Sequence, residues 1–103
     1  MDNENLNFGG NIELSGFKIV DSSSMVVLKK VIDNYAKRIG ELTKKMGTLH
    51  ITLKPVHERE KSEKYEVHAK VVDDGKVYAS KVTDRNLFVA VDNVLKKLVN
   101  EID

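Results

Sequence analysis

The chain has no cysteine among its 103 residues. That excludes disulfides, thiolate metal sites and thiol nucleophiles, and fits a protein kept in a reducing cytoplasm. It has one proline, Pro55, and no run of 18 apolar residues, so no segment reads as a membrane-crossing helix. The opening MDNENLNFGG lacks the basic start and apolar stretch of a secretory signal. Charge of one sign is also scarce. A net charge of +1 predicts no polyanion partner by itself. Motifs for catalysis are missing too. There is no GxSxG, no P-loop and no GxGxxG, the serines at 22–24 have no His or Asp at a triad-like spacing, and the carboxylates are single or in charged stretches. The chain is therefore read as a non-enzyme without a cofactor, a small-molecule substrate or a membrane.

What is present is an ordinary globular composition, 41% hydrophobic and 32% charged, at a length suited to one domain. Residues 1–10 are rich in Asn and Gly and read as a disordered lead-in, and residues 11–103 as a single domain. NIELSG alternates, with Ile12 and Leu14 on one face, and predicts a first strand ending at Gly16. Asp21 and the three serines after it offer helix N-caps. Behind them Leu28, Ile32, Tyr35, Ile39, Leu42 and Met46 step by four and three along one helical face, with Gly47 as the stop. TLHITLKP alternates again and predicts a strand that Pro55 ends. VHEREKSEK reads as a charged loop centred near Arg59. KYEVHAKVV and KVYASKVT are two strands joined at Asp74-Gly75, a two-residue hairpin signal. That turn sets Val71 against Tyr78, Ala69 against Ser80 and Val67 against Val82, and keeps Lys81 on the outer face. Asp84 then caps a last helix with Leu87, Val91, Val94, Leu98 and Ile102 as its stripe, widened by Phe88, Leu95 and Val99.

The order β-α-β-β-β-α, with one apolar face per element, predicts an α+β two-layer sandwich. It is a four-stranded sheet with both helices packed on one face.

Three constellations carry possible function. Residues 22–53 hold six bases against two acids, so positive charge collects in the first helix. Lys30, Lys37 and Lys44 recur every seven residues and predict a line about 20 Å long on the face opposite the stripe, flanked by Arg38 and Lys45. Such a row matches phosphates on a nucleic-acid backbone; a solvated, solubilising helix face is the plainer account of the same lysines. On the outer sheet face, a loop centred at Arg59 sets His50 against His68, Lys54 against Lys64, Thr48 against Lys70 and Thr52 against Glu66. Facing histidines are half a metal site, but without third and fourth ligands they read as solvated strand residues and no metal is expected. The same face is basic enough for RNA yet lacks stacking aromatics. In the last helix Asp92 reads either as a local i,i+4 partner of Lys96 or as a group that orients a base on the neighbouring helix.

The order of elements, Lys-Tyr-Glu-Val-His-Ala-Lys at 64–70, Tyr-Ala-Ser at 78–80 and Leu-Phe-Val-Ala-Val-Asp-Asn-Val-Leu-Lys-Lys-Leu at 87–98 together resemble the ribosome hibernation-promoting factor family, which includes the ribosome-associated inhibitor protein Y. Phe88, Ala90, Val91 and Asp92 stand in the family's pattern for its last helix. Leu28-Lys29-Lys30-Val31-Ile32 and Lys37-Arg38-Ile39 stand in that of the first. The likeness spans residues 11 to 100. It implies a non-enzymatic translation inhibitor that binds small-subunit ribosomal RNA in the channel of messenger and transfer RNA, through a basic surface. Lys29, Arg38 and Lys97 match family basic positions; Lys30, Lys37, Lys44, Lys45 and Lys96 join them from helix geometry. The chain departs from the family in its serine run before the first helix, in one added residue before the last helix, and in its ending Val-Asn-Glu-Ile-Asp, where relatives are often basic. It lacks the C-terminal extension of long members, which implies a monomer acting on one subunit. Two other readings share the pattern: a double-stranded-RNA module of α-β-β-β-α order, and a protein-interaction domain using the open sheet face, where Val72, Val77 and Ala79 form a small apolar patch.

Overall fold

A computed structural model of the chain describes residues 11–59 and 62–103, with backbone only for 57–59 and 62. The lead-in at 1–10 and residues 60–61 lie outside the described residues. Strand β1 (Ile12–Ser15) is followed by a short 3₁₀ turn (Phe17–Ile19), helix α1 (Ser22–Leu42), strands β2 (Met46–Arg59), β3 (Ser62–Asp73) and β4 (Lys76–Asp84), and helix α2 (Leu87–Ile102). The sheet order is β1-β2-β3-β4. β1 runs parallel to β2 through the α1 crossover, and the other neighbours are antiparallel.

The expected fold is the one observed. Leu49, Ile51 and Leu53 of β2 and Val67, Ala69 and Val71 of β3 are buried on one sheet face, in one core with Leu28, Ile32 and Ile39 of α1 and Val91, Val94, Leu95 and Leu98 of α2. Among the described residues every fully buried side chain is apolar, so both helices cover that face and the other is left to solvent. The turn at Asp74-Gly75 has φ of 51° and 88°, the backbone of a two-residue hairpin turn whose twist matches the strands. The β3–β4 register pairs Val67 with Val82, Ala69 with Ser80 and Val71 with Tyr78, as the alternation requires.

Four local expectations fail. Helix α1 ends at Leu42, a turn before Gly47. Thr43 swings to an extended φ of −101° with its hydroxyl donating to the Ile39 carbonyl at 2.8 Å. The Asp73 carboxylate, at the end of β3, then accepts from the backbone N–H groups of Lys44 (3.1 Å) and Lys45 (2.7 Å) and fixes the chain outside the helix. Met46 thus opens β2 instead of closing the α1 stripe. Second, the backbone of VHEREKSEK, apart from 60–61, is strand and not loop. Pro55 sits inside β2, three residues beyond the last pair with β1 at Thr52, where β2 has become an edge strand and a missing N–H costs no ladder bond. Third, α2 is capped by Asn86, whose Oδ1 accepts from Val89 N at 3.1 Å. Asp84 ends β4 and accepts from Asn86 N at 2.9 Å. Fourth, Phe88 is 38% exposed, and Ala90 takes the buried position.

Candidate nucleic-acid interface

On α1, Lys29, Lys30, Lys37 and Arg38 are all exposed, and Arg38 pairs with Glu41 at 3.7 Å. Lys30 and Lys37, seven residues apart, stand ~10 Å apart along the axis. Lys44 and Lys45 are exposed but lie beyond the helix, in the connector that Asp73 holds. The single line of three on one rod is therefore not formed. α1 carries its first two members, and the connector carries the third.

Helix α2 divides the other two predicted bases. Lys96 and Lys97 are both exposed, but the Lys97 ammonium donates to the Lys81 carbonyl in β4 at 3.3 Å. Asp92, on the other flank, accepts from the Tyr35 hydroxyl of α1 at 3.0 Å. Five residues turn a helix by roughly 140°, so Lys97 points towards the sheet edge and away from the interhelical seam. Only Lys96 remains on the outward side nearer α1. Asp92 does reach across to the neighbouring helix, but to a phenol and not to a base. Burial, then the bond to Asp92 and its charge, push the Tyr35 hydroxyl above its ordinary value.

The open sheet face differs from its expected pairing by two residues. In the observed register His50 faces Lys70, Thr52 faces His68 and Lys54 faces Glu66. An even shift keeps every side chain on its face. It replaces a repulsive Lys54–Lys64 pair with an attractive Lys54–Glu66 pair, the better arrangement across strands. The facing histidines are not formed. His50 Nε2 is 2.9 Å from the Ser15 hydroxyl, and His68 Nε2 is 2.5 Å from Glu66 Oε2. His68, with the charges of Lys81 and Lys54 behind it, holds the Glu66 carboxyl below its usual range. No group of three metal-ligating side chains occurs among the described residues. A shallow depression of about 320 Å³ lies over this face, lined by His50, Thr52, Lys54, His68 and Lys70 among others. Sequence reading identified the face as basic but misplaced its cross-strand partners. The signal for the face was the period-two placement of Lys54, Lys70 and Lys81.

No family model and no curated protein matches the sequence. A solved structure, that of a ribosomal subunit interface protein from Coxiella burnetii, aligns with 88% of this chain and 91% of its own at a TM-score of 0.58 and 20% identity. The chain has that protein's fold. No helix of the described residues is long and apolar enough to cross a membrane.

Proposed function

We propose that this chain is a non-enzymatic, ribosome-associated translation inhibitor of the hibernation type. It acts in the cytoplasm as a monomer and docks on small-subunit ribosomal RNA in the messenger–transfer RNA channel. The observation that carries the reading is a fold shared almost end to end with a ribosomal subunit interface protein. Exposed cations on α1 supply the contact chemistry: Lys29, Lys30, Lys37 and Arg38 on the helix, Lys44 and Lys45 just past it, and Lys96 on α2. Lys97 adds charge at the β4 margin, and Asp92 fixes α2 against α1 through Tyr35, so it positions the surface without touching RNA.

Co-sedimentation with ribosomes from starved cells tests the proposal. The protein is expected in the small-subunit or monosome fractions at low salt, released as salt rises. Protein that stays at the top of the gradient at low salt, or that prefers bare duplex RNA to ribosomes, contradicts it.

A further inference from the structure

We propose that the solvent-facing side of the sheet is a second phosphate-binding surface, which holds the sugar–phosphate backbone of a single-stranded RNA segment while the helices face another. The inference goes beyond ribosome docking through α1 and stands on different residues.

Lys54 in β2, Lys70 in β3 and Lys81 in β4 are all exposed on this face. The register places Lys81 beside His68 and Lys54 beside Glu66, so two lysines bracket the Glu66–His68 pair and Lys70 stands one row away, next to His50. Strand spacings set neighbouring members of this triangle ~8–14 Å apart. The acid in the middle is already engaged by His68, which leaves the lysines facing outwards. The bond from His68 first, and then the charges of His68, Lys81 and Lys54, hold the Glu66 carboxyl below its usual range. The acid facing His50 from β1 is Glu13, at the margin. Thr52, Thr83 and the two imidazoles add neutral donors of the kind that bind phosphate oxygens.

The chemistry selects the backbone over the bases, because this face presents no Phe, Tyr or Trp among the described residues and its two imidazoles are engaged by Ser15 and Glu66, whereas bases need stacking partners. It also selects the face over the edge. Lys97 occupies the Lys81 carbonyl of edge strand β4, which blocks main-chain pairing by an added peptide strand at that point. The described residues measure 20 Å along their shortest axis. A slab of that thickness with cations on both broad sides can lie between two RNA strands and bridge them.

The test uses the purified full chain and a fluorescent 20-nucleotide oligouridylate, with anisotropy across a salt series. It also measures capture of that RNA by a second, immobilised oligouridylate. Lys54→Gln/Lys70→Gln/Lys81→Gln is expected to lower the log–log salt slope by about 2, at ~0.7 for each phosphate of a single strand that is no longer neutralised, and to abolish capture. Arginine at the same three positions is expected to restore both. Lys30→Gln/Lys37→Gln/Arg38→Gln is expected to lose capture too, while keeping the sheet share of the slope. An unchanged slope in the sheet variant overturns the inference, as does a loss that arginines fail to restore. Competition by polyglutamate as effective as that by RNA also overturns it and assigns the face to an acidic protein partner. Ribosome co-sedimentation of the wild-type chain reports separately on the function proposed above. The sheet inference can therefore fail while that function stands, and the reverse.

Discussion

Gly16 shows how a single residue fixes the start of the fold. It has φ of 82°, and a Cβ there would lie 2.1 Å from the Leu53 carbonyl oxygen of β2. Gly16→Ala combines left-handed backbone strain with a backbone clash, and is expected to cost at least about 2 kcal/mol by denaturant titration. A midpoint near wild type would show that β1 can shift. Sequence reading placed Gly16 at the end of β1 from alternation alone; the close approach of β2 was invisible because it depends on a partner 37 positions away. Tyr35 illustrates the same limit. Periodicity assigned it to the core stripe, where it does pack, but could not show that its hydroxyl serves Asp92. Tyr35→Phe is expected to cost about 1 kcal/mol, the usual net worth of such a bond. The folded-state value of the Tyr35 hydroxyl lies above its ordinary 10.0, chiefly through burial. Its contribution is therefore complete below pH 10 and lost as pH climbs through the folded value. Thermal unfolding from pH 8 to 11 should show a smaller alkaline loss in Tyr35→Phe than in wild type, and equal losses would contradict the assignment. Asp92→Asn keeps an acceptor for the phenol, so the fold should survive; unfolding would make the charge itself structural.

At the scale of elements, propensity and pattern located every strand and both main helices but not their ends. α1 stops where a residue of β3 stops it. Asp73→Ala removes the acceptor for the Lys44 and Lys45 amides and is expected to cost about 1–2 kcal/mol. It should also raise hydrogen exchange at those two amides, and unchanged exchange would refute the account of the helix end. The β2–β3 hairpin was misplaced because its charged sequence resembles a loop, and because proline is excluded from strands only where both edges are paired. The observed register, shifted by two residues from the expected one, dissolves the histidine pair. By contrast Asp74-Gly75 was legible in full, since the turn depends on two adjacent residues with positive φ. The candidate site was legible as a set of lysines. How they divide among α1, its connector and the β4 margin was not, because that depends on where α1 ends and which way α2 is rotated.

At the scale of the whole molecule, two parallel layers give one apolar interior and two solvent faces, each carrying cations. Near-neutral net charge is no obstacle, because the surplus on α1 is balanced by acids elsewhere, including Asp84 and the C-terminal Glu101 and Asp103. The proposed contact with RNA is then set by local faces, with a range limited to about 8–10 Å at ordinary ionic strength. Such binding must be salt-sensitive, since each phosphate neutralised on a duplex contributes roughly 0.9 to the log–log slope. The central claim is that this fold meets the ribosome through α1, and the direct measurement is co-sedimentation with purified small subunits across a salt series, for wild type and Lys30→Glu/Lys37→Glu/Arg38→Glu. The account predicts binding at low salt that falls steeply with salt for wild type, and a shallow, weakened curve for the folded variant. Identical curves for the two proteins, or no wild-type binding at the lowest salt, would contradict it.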